Sequence, residues 1–191
     1  MIKPAGRLVS YVLACALVCC ASQALWAQAD TVQSLAKRSG DANFASDVIK
    51  AAGSAANLAE AIRILESLAP LAKGAGATTV YSQLAVFLEM ESRWNEASLA
   101  WESSARSSAA SSAYSLTQAA VCALYDGDPL RAAKLVDEAK ALGTGDAVHL
   151  SLISAYASFL SGDRPGSLKG ALAVVSSGDS RYEPSALVLA S

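Results

Sequence analysis

Few side chains in this 191-residue sequence are placed to do chemistry. His149 is the only histidine, so any Ser–His–Asp or Cys–His arrangement would have to be built on it. Its neighbours Val148 and Leu150 open an apolar helical run, and it reads as a surface or helix-start histidine. Asp126-Gly127-Asp128 resembles the opening of a calcium loop but lacks the further ligands and closing Glu that such loops need. It reads as a turn, with Asp128 as N-cap before Pro129. Lys73-Gly74-Ala75-Gly76-Ala77-Thr78-Thr79 has a phosphate-loop flavour without the Lys placed directly before Ser or Thr. It reads as a flexible connector. Glu89 and Glu91, or Asp137 and Glu138, do not share a helical face at their spacings. There is no HExxH and no paired-cysteine metal signature. No catalytic residue, metal or cofactor is expected, and the chain reads as a non-enzyme.

Cysteine usage points elsewhere. Cys15, Cys19 and Cys20 fall in the first residues, which leaves Cys122 alone in the remainder. One cysteine makes no internal disulfide. Cys122 lies in the apolar run Ala119 to Leu124 and reads as a small buried hydrophobe rather than a reactive thiol.

The first residues have the character of an export signal. Met1 to Arg7 is short and positive, Leu8 to Val18 is apolar apart from Ser10, and Ala27-Gln28-Ala29 offers small residues where an export peptidase reads. Residues 1–29 are therefore expected to be a cleaved signal peptide, with Asp30 the new N-terminus and Ser22-Gln23-Ala24 a second candidate cut. Leu17-Val18-Cys19-Cys20 resembles the lipobox of bacterial lipoproteins, except that Cys19 stands where Gly, Ala or Ser is usual. Lipidation of Cys20 stays open as an alternative. It would tether the chain to a membrane, in place of a soluble periplasmic or envelope protein.

The remainder is expected to be helical. Hydrophobic residues make up 53% of the chain and charged residues only 17%. Alanine and serine dominate, and alanine is the strongest helix former. Net charge is −2, with basic residues scattered singly. That gives no footprint for nucleic acid.

Sliding the sequence along itself exposes a period. SRWNEASLAWESSA, DGDPLRAAKLVDEAKAL and SGDRPGSLKGALAV align, with Ala97, Ala132 and Ser167 in equivalent places 35 residues apart. NLAEAIRILESLAPL adds Ala61, 36 residues before Ala97. Each is preceded by another helical run, roughly Ala42–Ala52, Thr78–Glu91, Ala113–Tyr125 and Ala147–Leu160, with apolar residues at three- and four-residue steps. Gly40-Asp41, Lys73 to Gly76 and Gly143 to Asp146 part the pairs, and Ser103 to Ser112 reads as a joint.

Such helix pairs, with small residues at the crossing and a later aromatic, resemble the tetratricopeptide repeat. Tyr81, Leu84, Ala85, Leu88, Trp94, Ala97 and Trp101 fall on its signature places in the second unit. Leu116, Ala119, Ala120, Gly127, Ala132, Val136 and Ala139 do so in the third. The fourth is looser, its Gly162-Asp163 turn one residue late and its second helix weakened by Gly166 and Gly170. The first ends a weak helix at Gly53. The resemblance implies an all-α solenoid of about four hairpins stacked as a right-handed superhelix. Residues 30–41 would form an N-terminal cap and 42–182 the repeats (42–75, 78–111, 113–146 and 147–181), with 183–191 a capping helix. In such arrays the first helix of each pair lines a concave groove. That assigns Thr79, Ser82, Val86 and Met90, then Tyr114, Thr117, Val121 and Tyr125. In the fourth unit it assigns His149, Leu152, Tyr156 and Phe159, with Tyr156 and Phe159 alternatively packing on the final helix. The implied function is an exported scaffold holding a protein or peptide partner in an apolar, aromatic groove. The alternative is a self-associating envelope protein.

Overall fold

The computed structural model describes residues 30–191, so the expected signal peptide, its cut after Ala29 and Cys20 lie outside the described residues. The described residues contain helices and turns and no strand. A first helix, α1 (30–37), leads into α2 (Phe44–Gly53), α3 (Leu58–Leu68), α4 (Gly74–Met90), α5 (Trp94–Ser107) and α6 (Ser112–Tyr125). The chain continues through α7 (Pro129–Ala141), α8 (Ala147–Leu160), α9 (Arg164–Ser176) and α10 (Glu183–Ala190). From α2 onward each helix packs on the next, and contacts that skip a helix join α2 to α4, α6 to α8 and α8 to α10. Among the described residues no helix is long and apolar enough to cross a membrane.

Three turns repeat one another. Ser92, Gly127 and Gly162, spaced by 35 residues, have φ of 57°, 80° and 82°. The next residue's amide donates back to a carbonyl five residues earlier: Arg93 to Leu88, Asp128 to Ala123 and Asp163 to Ser158, each 2.9 Å. This is the Schellman closure, which satisfies the orphan carbonyls of a helix end. Asp128 and Asp163 then cap the following helices by accepting from the amides of Arg131 and Gly166, each at 3.0 Å. Arg93, in the same place, has no cap to offer and instead clamps Glu96 and Glu66.

Burial keeps the same beat. Ala85, Ala120 and Ala155 are buried, as are Ala97, Ala132 and Ser167 and also Trp101, Val136 and Ala171. The fourth pair therefore keeps step, and its Gly162-Asp163 turn is not late. Gly170 does not merely weaken α9: a Cβ there would lie 2.9 Å from that of Ala155, so glycine lets α9 approach α8 closely.

Two expected breaks are helical. Gly74, Ala75 and Gly76 open α4 instead of forming a connector. A Cβ at Gly76 would stand 3.0 Å from the Cβ of Ala45, so the glycine sits where α4 meets α2. The serine joint is shorter than its composition suggests, because α5 runs on to Ser107. Serine side chains there return to the backbone one turn earlier, as Ser103 does to Leu99 at 2.9 Å.

One large core cluster runs from Leu35 to Ala157, and a small separate one joins Leu152, Ala171, Val174 and Ala186.

Candidate functional site

The last two turns of α4, α6 and α8 carry a ladder of apolar side chains. Val86, Val121 and Tyr156 form one rung, and Met90, Tyr125 and Leu160 another, each member 35 residues from the next. Met90 and Tyr125 are each 67% exposed and Leu160 is 52% exposed. Together they leave a strip of large apolar groups open to solvent. Tyr125 is held in place by Trp94 at the start of α5, stacked with ring centroids 4.7 Å apart and planes 25° apart.

Between α6, α8 and the start of α10 the ladder deepens into an open groove of about 410 Å³. Val121, Leu124, Tyr125, Leu152, Tyr156 and Leu160 give it apolar walls, with His149 and Ser185 at its margin. A smaller hollow of about 250 Å³ lies over α4 and α5, beside Tyr81, Leu99 and Glu66.

Of the expected groove residues, Val121, Tyr125, His149, Leu152 and Tyr156 are brought together here. Val86 and Met90 extend the ladder onto α4. Thr117 is not a groove residue: it is buried, and its hydroxyl donates to the carbonyl of Ala113 at 2.7 Å. Ser82 likewise turns inward, 2.9 Å from Ser104 on α5. Residue 82 lies roughly 60° around the helix from residue 79, which turns it and its equivalent Thr117 towards the second-helix layer. Tyr114 is exposed but lies edge-on to Trp101, with centroids 5.8 Å apart, away from the groove. Thr79 is exposed and also lies outside it. Leu160, not Phe159, lines the wall, as the 35-residue step from Tyr125 requires. Leu124, Ile153 and Ser185 also line it and were not foreseen. Leu124 is Tyr125's neighbour, and Ile153 lies one helical turn beyond His149. Tyr156 serves twice, since it also packs on the small C-terminal cluster.

His149 is half-buried rather than free on the surface. Its ring stacks on that of Tyr182, with centroids 4.9 Å apart and planes 9° apart. Burial lowers its pKa, against the pull of Asp146. Asp146 caps α8 through the amides of Val148 and His149, each 3.1 Å away. It also accepts from the Tyr182 hydroxyl at 3.2 Å and pairs with Arg181 at 3.1 Å. The amide of His149 is the main cause holding the Asp146 carboxyl below its ordinary range, helped by Tyr182 and Arg181. The cluster ties the turn before α10 to the head of α8.

Between α4 and α6 the corresponding space is filled. Trp101 donates its indole N–H to Glu89 at 2.5 Å, and the Cys122 thiol donates to the same oxygen at 3.2 Å. Burial pushes the Cys122 thiol pKa far up, with Glu89 adding to the effect. The thiol is buried and inert there, a structural donor.

The arrangement can sequester apolar side chains. Among the described residues no three His, Cys, Asp or Glu side chains gather as a metal set would require. No family model, curated protein or solved structure matches the chain.

Proposed function

We propose that the chain is an exported, tetratricopeptide-like solenoid of four helix pairs in a right-handed stack, which binds a peptide or helix of a protein partner across α4, α6 and α8. It acts as a scaffold in the cell envelope rather than as a catalyst. The observation that carries this reading is the exposed apolar ladder, repeated at the period of the fold and deepening into the groove beside Tyr125 and Tyr156. A partner segment would bury Met90, Tyr125 and Leu160, which otherwise lie open to water.

The test is partner recovery from envelope fractions by the wild type and by Tyr125→Ala and Leu160→Ala, each checked for native helicity. Recovery should fall in both variants. Undiminished recovery would remove the groove from the account. Export is tested on the same material by intact mass, which separates a chain beginning at Asp30 from one lipidated at Cys20.

A second reading has its own observation. Leu168 and Leu172 on α9 and Leu187 and Val188 on α10 are exposed large apolar side chains at the C-terminal end of the array. Repeat arrays need a polar terminal face for solubility. An apolar one suits self-association. Sedimentation over a micromolar concentration series tests it, and a monomer throughout would dismiss it.

A further inference from the structure

We infer that the segment taken by the groove is a cationic amphipathic one, whose apolar side chains lie on the ladder and whose Lys or Arg side chains meet Glu91 and Asp126. This rests on the groove being the binding surface, as proposed above, and adds the chemistry of what it holds.

Glu91 directly follows Met90, and Asp126 directly follows Tyr125. The two acids are thus 35 residues apart, one beside each of two exposed members of the same rung. Both residues are exposed. Among the described residues neither carboxylate has a hydrogen-bond or ion-pair partner. Their amides alone are used, in closing the ends of α4 and α6.

The cations at the heads of α5 and α7 are committed. Arg93 is held by Glu66 and Glu96. Arg131 is held by Glu102. Lys50, in the last turn of α2, and Arg164, at the start of α9, are exposed and have no side-chain partner among the described residues, but neither adjoins Met90 or Tyr125 in the chain as Glu91 and Asp126 do. At the other end of the groove Asp146 is already matched by Arg181, and Arg181 by Asp179. No Lys or Arg lines the groove itself. The unmatched charge directly following Met90 and Tyr125 is therefore negative.

Exposed pairs are individually weak, and two of them should change affinity by about fivefold.

The experiment is fluorescence anisotropy of the full chain with labelled synthetic amphipathic helices of one length. One is built of Leu and Lys, a second of Leu and Glu, and a third of Ala and Lys. The Leu/Lys peptide should bind tightest, by about fivefold over Leu/Glu at low salt. The gap should close in high salt and in the Glu91→Gln/Asp126→Asn double variant. Both substitutions replace exposed side chains without partners, so the fold is expected to survive them. The Ala/Lys peptide should bind poorly, because charge alone is not the ligand. Equal binding of Leu/Lys and Leu/Glu, both lost in Tyr125→Ala, would overturn this inference and leave the groove reading standing. A Leu/Lys preference that survives the double variant would also overturn it. Binding indifferent to Tyr125→Ala would overturn the groove reading itself.

Discussion

The junction of α4, α5 and α6 and the junction of α6, α7 and α8 are built from equivalent positions, yet one is filled and the other is hollow. In the first, Trp101 on α5 reaches Glu89 on α4 and lies edge-on to Tyr114 on α6. Thirty-five residues on, the same places hold Val136, Leu124 and His149, and Cys122 is replaced by Ala157. Val136 is fully buried but far too short to bridge two neighbouring helices. The groove lies beside Leu124 and Tyr125, where nothing like Trp101 arrives. The repeat supplies similar walls at both junctions, and only in the first does a large side chain, Trp101, tie the three helices together.

Several substitutions bear on that contrast. Trp101→Val should hollow the first junction and strip Glu89 of its indole donor. A loss of about 3–5 kcal/mol is expected, read from urea denaturation. An unmoved midpoint would show that Trp101 is not what closes the gap. Ala132→Trp probes what the junctions share, since Ala97 and Ala132 are both fully buried. It should cost at least about 1–3 kcal/mol by overpacking, while Ala110→Trp, at an exposed site, should stay within about 0.5 kcal/mol. Equal losses would refute the shared crossing.

The turns offer a finer test. Ser92 holds the left-handed conformation that glycine supplies at 127 and 162. Ser92→Gly should therefore stabilise, and Gly127→Ser destabilise, each by roughly 1 kcal/mol. Changes of the opposite sign would mean that the turns are not equivalent.

The smallest effect concerns His149. Its pKa is lowered by burial, so the unfolded chain takes up the proton first. Stability is then lost as pH falls through the ordinary histidine range, near 6.5. The melting midpoint of the wild type should drop more across that range than that of His149→Gln. Parallel curves would show that the stack on Tyr182 does not resist protonation.

The period was legible because small residues recur where helices cross, at Ala97, Ala132 and Ser167. What escaped the sequence depends on contacts between distant residues. Gly74 to Gly76 has the composition of a connector, and only the approach of Ala45 shows why a glycine stands at 76 within a helix. Thr117 sits near the groove in the helical pattern, but its hydroxyl is taken by its own backbone one turn back. Phe159 drew attention as an aromatic, although the step from Tyr125 pointed to its neighbour Leu160. The filler role of Trp101 requires Glu89 and Cys122 together, on helices before and after its own. No local pattern announces that meeting.

The left-handed residue at 92, 127 and 162 has a consequence for how this chain can change in length. Segments 93–127 and 128–162 each begin just after such a turn and end on one, with the same closure at both borders. Duplicating or deleting one of them would join like to like, leaving the neighbouring helices aimed as before. Each segment is in that sense an exchangeable cassette, and the length of each rung is open to adjustment one member at a time.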